Sequence, residues 1–196
     1  MKIHVESKRE ESRRSVSKIE IFKKLLELYS PYWRNDPDMR ETPDRYIRML
    51  DHFFRGYRKS EMEHQLSKVF PTTNDQMVIV KNIECFGMCP HHLVPIVYKV
   101  SIGYIPNGKA IGLSKLARLA VMLSATPKLQ ENFTSEIANM LEERLLPLGV
   151  MVIVEGVHGC MRTRGVEQNS TCITSDCRGV LREKAEAREE FLKLIK

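Results

Sequence analysis

No apolar run in this 196-residue chain approaches the length that crosses a bilayer. Stretches such as Leu119 to Leu123 and Val150 to Val154 stop far short of the roughly 20 residues a membrane helix needs. The opening residues after Met1 are mostly polar and offer no secretory apolar segment. Cysteine is scarce, odd in number and unevenly placed, with five residues at Cys85, Cys89, Cys160, Cys172 and Cys177. A secreted disulfide scaffold is normally shorter and denser in cysteine. These absences predict a reducing, cytoplasmic setting. Internal repeats and low-complexity tracts are also missing. Acidic residues fall short of basic ones, 25 against 31, so the formal charge is +6 and the pI about 9.1. That balance favours an anionic partner, and nucleic acid, an anionic membrane surface and a polyphosphate all fit it.

What is present organises as one domain of ordinary size with an N-terminal helical region. Residues 1–15 are charged and aperiodic. From Val16, the positions Ile19, Phe22, Leu25, Leu26 and Tyr29 predict an amphipathic helix ended by Pro31. Thr42-Pro43 predicts the start of a second helix with Ile47, Leu50 and Phe54 on one side. Strands are expected over 75–83 and 97–104, with the turn Ile105-Pro106-Asn107-Gly108 after the second. A helix is expected from Leu113-Ser114, burying Leu116, Leu119 and Leu123. Another is capped by Thr126-Pro127 and carries Leu129, Phe133, Ile137, Met140 or Leu141, and Leu145. Strands over 150–157 and 161–166 and a closing helix over 182–196 complete the reading. Strand–strand–helix–helix–strand–strand does not alternate as a doubly wound sheet does, so the fold class is α+β, with helices packed on one face of an antiparallel sheet.

Chemistry concentrates in Cys85-Phe86-Gly87-Met88-Cys89-Pro90-His91-His92 and, far downstream, in His158-Gly159-Cys160. Cys89, His92 and Cys160 offer three soft or borderline ligands, and three protein ligands with one open position is the usual layout of a catalytic zinc. Cys85 is a rival ligand. Read singly, Cys89 is as often a buried hydrophobe. His91 and His158 are candidates for proton transfer, because imidazole titrates near neutrality. Ser114 and Lys115 stand where a helix N-terminus favours phosphate. Arg118, Arg164, Arg45 and Arg48, with Lys115, are candidates for a phosphate site, although solvated surface charge is the commoner role for any one of them taken alone. Gln130-Glu131 could match a purine edge, although the pair does not differ from ordinary helix polarity.

Cys-x-His-His, Gly-Tyr-Ile-Pro-Asn-Gly, Ile-Gly-Leu-Ser-Lys-Leu-Ala-Arg, Leu-Gln-Glu and His-x-Cys-Met-x-x-Arg-Gly occur in this order. With Glu41-Thr42-Pro43-Asp44-Arg45 upstream and Glu190-Phe191-Leu192 near the end, the sequence resembles GTP cyclohydrolase I over roughly residues 16–196. The resemblance implies the tunnelling fold, an antiparallel four-stranded sheet pooled with those of other copies into a barrel. It implies a homodecamer with sites at subunit interfaces, GTP as the partner rather than nucleic acid or membrane, and Zn2+ held by Cys89, His92 and Cys160. Residues 1–75 would form the arm and helices, and 76–196 the catalytic domain.

In such an enzyme, zinc-activated water attacks C8 of GTP, formate leaves, and rearrangement gives 7,8-dihydroneopterin triphosphate for pterin, folate or 7-deazaguanine synthesis. His158 would be the main proton donor, assisted by His91 and Ser114. Glu131, Gln130 and the backbone near Ile111 and Leu113 would hold guanine; Lys115, Arg118, Arg164, Arg45 and Arg48 would hold the triphosphate. Pro90 stands where the family usually has Glu, Gly87-Met88 replace a Ser or Thr, and residues 166–177 depart from a Thr-rich strand. Two other readings are a different reaction on the same fold, such as a 7-deazaguanine reductase, and a non-catalytic zinc-stabilised oligomer that binds nucleotide.

Overall fold

The computed structural model describes residues 18–57 and 68–196. The arm expected over 1–15 lies outside the described residues, as do the first two positions of the expected first helix. The chain divides into two compact units between His52 and Phe53. In the first, residues 18–29 form helix α1, which stops before Pro31 as expected, and α2 spans Thr42–Phe53. Phe22 and Tyr46 stack at 4.2 Å between ring centroids and join the two helices.

The second unit is built on a four-stranded antiparallel sheet in the order β2 (Val78–Met88), β3 (Pro95–Ile105), β5 (Gly149–His158) and β6 (Cys172–Gly179). Two three-residue strands, β1 (Val69–Pro71) and β4 (Lys109–Ile111), pair beside it. Helices α3 (Leu113–Ser124) and α4 (Gln130–Leu145) cover one face. Their Leu116, Leu119, Leu123, Phe133, Ile137 and Leu141 pack on Tyr98, Val100, Ile102, Val152 and Val154 in one core. The period of two in β3 and β5 and the helical period in α3 and α4 point these side chains inward, as the sequence predicts. Between Met140 and Leu141, the fully buried residue is Leu141. A short α5 (Gly159–Arg162) follows β5, and α6 (Val180–Glu183) leads into α7 (Ala185–Ile195). The closing helix α7 lies on the other face, where Phe191 packs so tightly on Gly103 that a β-carbon there would meet its ring at 2.6 Å.

Three expectations are corrected. The strand expected over 161–166 is absent: Gly159–Arg162 close a helical turn, Thr163 bonds back to the Gly159 carbonyl through both N and Oγ1, and Gly165 and Glu167 take left-handed backbone. The fourth strand begins instead at Cys172. Thr126 does not cap α4; its hydroxyl donates to the Leu123 carbonyl and closes α3, while α4 starts at Gln130. The closing helix is broken at Lys184, whose backbone is extended.

Candidate metal centre

β2 and β5 both run antiparallel to β3, so both finish at the same end of the sheet, beside the start of β3. Met88 lies opposite Pro95, and His158 lies opposite Ile96. The residues that follow the two strands, Cys89 and Cys160, are therefore delivered to one place from positions 71 apart in the chain. The Cys89–Val94 loop is tied by Cys89 N to Val94 O at 3.0 Å and Leu93 N to Cys89 O at 2.9 Å, with Leu93 left-handed. This tight return aims His92 back at Cys89.

The ligand atoms of Cys89, His92 and Cys160 lie within 4.8 Å of one another, and among the described residues no other His, Cys or carboxylate group converges in this way. Cys89 Sγ and His92 Nδ1 are 3.7 Å apart. A tetrahedral zinc with bonds of about 2.3 Å to sulfur and about 2.0 Å to nitrogen spaces such ligands at roughly 3.5–3.8 Å. The donor set and its spacing fit zinc. Cys89 is buried, Cys160 half-buried and His92 exposed, which leaves the solvent side for a fourth ligand. Cys85, the rival ligand, faces the core instead; burial pushes its thiol up to about 11, against a hydrogen bond to Ser124. Burial and the neighbouring Cys89 also raise the Cys160 thiol.

Around this cluster, His91 Nδ1 lies 3.9 Å from Cys89 Sγ. Arg164 Nη1 reaches His92 Nε2 at 2.6 Å, which sets the guanidinium at the rim. His158 Nε2 is 2.8 Å from Gln130 Oε1. Burial lowers the His158 pKa from its ordinary value, while the charge of Glu131 opposes that shift. Gln130 is buried, and its amide nitrogen sits within 2.9 Å of Val154 O and 3.0 Å of Cys172 O. Its hydrogen-bonding capacity is therefore used inside the chain, a role that helix polarity in the sequence did not signal.

The remaining expected site residues lie elsewhere. Ser124, at the end of α3, is beside Gly87 near the cluster, whereas Ile111, just before its start, donates its backbone N–H to the Tyr104 hydroxyl at the opposite end of the sheet. The ten residues between Ser114 and Ser124 span about 15 Å of helix. Leu113, Ser114 and Lys115 therefore stand far from the sulfur ligands of their own chain, with Arg118 one turn further along α3. Arg45 and Arg48 are in the first unit, where Arg45 pairs with Glu41 at 2.7 Å.

Residues 20–196 match the family model described as GTP cyclohydrolase I. The chain is 46% identical over 157 residues to "GTP cyclohydrolase 1" of Homo sapiens, an alignment covering 80% of this chain and 63% of that protein. It is 40% identical over 163 residues to "GTP cyclohydrolase 1 2" of Pseudomonas aeruginosa, covering 83% and 90%. The chain spans under two thirds of the human relative and about half, 48%, of the Drosophila melanogaster one. Among solved structures, an apo archaeosine synthase QueF-like protein superposes with a TM-score of 0.42 at 16% identity, over 54% of this chain and 96% of that one. A match running through both motif clusters and nearly the whole sequence leaves one family, and the chain belongs to GTP cyclohydrolase I.

Proposed function

We propose that the chain is a zinc-dependent cyclohydrolase that converts GTP to 7,8-dihydroneopterin triphosphate and formate. The observation that carries this reading is the convergence of Cys89, His92 and Cys160 beside His158. Family membership supports the substrate. Zinc bound by these three residues would supply Lewis-acid chemistry, acidifying water so that it attacks at neutral pH.

The chain's own residues do the rest. His158 keeps one proton on the nitrogen facing Gln130 and exchanges the other at Nδ1, the atom for proton transfer to the purine ring. His91, exposed beside Cys89, is placed for the later transfers. Glu131, at the start of α4, accepts from guanine N–H groups. Arg164 at the rim, together with Lys115, Arg118, Arg45 and Arg48, neutralises the triphosphate, which gives the net positive charge a purpose.

One chain does not assemble this whole set, because Ser114 and Lys115 lie at the far end of the sheet from the sulfur ligands. We therefore read the enzyme as a homo-oligomer, a decamer by family resemblance, in which a second copy completes each site. The sheet face not covered by α3 and α4 supports this: the paired Phe86 and Val97 are exposed there, as is Ile173 on β6, apolar surface that assembly with other copies would cover. Residues 76–196 are the catalytic part. The product would enter pterin, folate or 7-deazaguanine synthesis in the cytoplasm. The test is to incubate zinc-loaded protein with GTP and follow formate together with pterin fluorescence after oxidation. Equal amounts are expected. Neither product from protein with zinc bound would instead favour a nucleotide-binding oligomer.

A further inference from the structure

Gln130 is the first residue of α4 and is only 2% exposed, an unusual position for an amide unless every polar atom is matched. Its nitrogen has three acceptors: Val154 O at 2.9 Å, Cys172 O at 3.0 Å and Thr174 Oγ1 at 3.2 Å. Backbone carbonyls only accept, so the end that faces two of them is the NH2 group and the amide cannot be reversed. Thr134 holds the third acceptor, the Thr174 hydroxyl, in place. Thr134 Oγ1 lies 2.8 Å from Gln130 O and donates to it, so across the 2.6 Å contact between the two hydroxyls it receives from Thr174. Thr174 then has lone pairs left for the amide. Both amide hydrogens are thus shared among acceptors inside the chain, and none remains for a purine.

The other end of the amide is a carbonyl oxygen, 2.8 Å from His158 Nε2. It can only accept, so the imidazole must donate from Nε2. Neutral His158 then holds its proton there and leaves the lone pair on Nδ1. Strand β5 is cut away to allow this contact: a β-carbon on Gly156 would lie 2.1 Å from Gln130 Oε1 and 3.2 Å from His158 Nε2. Glycine at 156 is what lets the amide reach the ring.

We propose that Gln130 is a positioning residue that locks His158 in the Nε2–H tautomer, with Nδ1 as the nitrogen that exchanges protons, rather than a reader of guanine. The kinetic consequence rests on the cyclohydrolase reading; the tautomer does not. Two measurements separate them. In 15N-histidine-labelled wild-type protein at alkaline pH, the resonances missing from His158→Phe should show a protonated Nε2 and an unprotonated Nδ1, and Gln130→Met should lose that signature. A protonated Nδ1 in the wild type overturns the proposal, whether or not GTP is turned over.

In steady-state assays, Gln130→Met should lower kcat on the order of 10²-fold. Its KM for GTP should stay within about 3-fold of wild type, the mark of an interaction that acts on the chemical step, with zinc content and oligomer size unchanged. A raised KM with kcat preserved would make Gln130 a guanine contact and overturn the proposal. If Gln130→Met does not fold, Gly156→Ala carries the same test, since it parts the pair while keeping both side chains. No turnover in wild type would sink the cyclohydrolase reading and leave the tautomer to the spectra.

Discussion

Gly159 sits so close to Pro95 that a β-carbon on it would lie 2.7 Å from the Pro95 carbonyl oxygen and 2.6 Å from Val94 Cγ1. This contact seats the turn after β5 on the loop after β2, and it sets how near Cys160 comes to Cys89. Gly159→Ala should push the two thiols apart without touching either. Zinc affinity, measured by competition with a chromophoric chelator, should fall about 10-fold or more, as for other changes just outside a metal's ligands. Unchanged affinity would mean that the close approach does not govern the cluster.

His158 and Cys160 are two residues apart, and the proposed reaction gives them separable roles. Cys160→Ser should lose both zinc and turnover. His158→Ala should keep zinc and assembly, while turnover drops on the order of 10²–10⁴-fold, the usual worth of a positioned acid or base. Metal analysis, light scattering and the formate assay on the same preparations would check this. Full turnover in His158→Ala would remove it from the mechanism.

Much of this arrangement can be read in the sequence, for a physical reason in each case. Cys89 and His92 are three residues apart, a distance at which local chain geometry alone brings side chains together, and the helical period of Leu116, Leu119 and Leu123 reflects one buried face. The fourth strand is hard to place from sequence because β6 is an edge strand with no fully buried residue. Without a buried face it carries little apolar alternation, and the apolar ends of Met161 to Val166 look more strand-like. β1 and β4 are too short for any period to register. Gln130 reads as surface polarity in the sequence because what satisfies it, the carbonyls of Val154 and Cys172, is brought to it only by tertiary packing.

The separation of Lys115 from the sulfur ligands leads to a subunit-mixing experiment. Lys115→Ala and His158→Ala, each nearly inactive alone, should regain activity when unfolded and reassembled together. In a mixed ring with each site built from two chains, about a quarter of sites would be intact. No recovery in demonstrably mixed oligomers would place the complete site within one chain.

Asp176 and Arg178 on β6 supply a pH dependence of stability. Burial raises the Asp176 carboxyl, but hydrogen bonds from Arg178 and Ser135 and the charges of Arg178 and Arg182 outweigh it, so the net shift is downward. Asp176 Oδ1 is 2.6 Å from Arg178 Nε. A carboxyl depressed in the folded state stabilises the protein above its unfolded pKa, and that contribution is lost as pH falls through the folded value. Asp176→Asn should cost about 1–2 kcal/mol at neutral pH. In urea denaturation, the difference from wild type should shrink in acid. A constant difference across the range would show that the ionised form plays no part.

The most direct measurement is GTP turnover as a function of bound zinc per chain, starting from metal-stripped protein and adding zinc stepwise. Turnover should rise in proportion to zinc, saturate at about one ion per chain, and release formate and pterin in equal amounts throughout. Full turnover by the stripped protein, or zinc saturation at Cys89, His92 and Cys160 without any turnover, would contradict the assignment of this cluster as the catalytic centre.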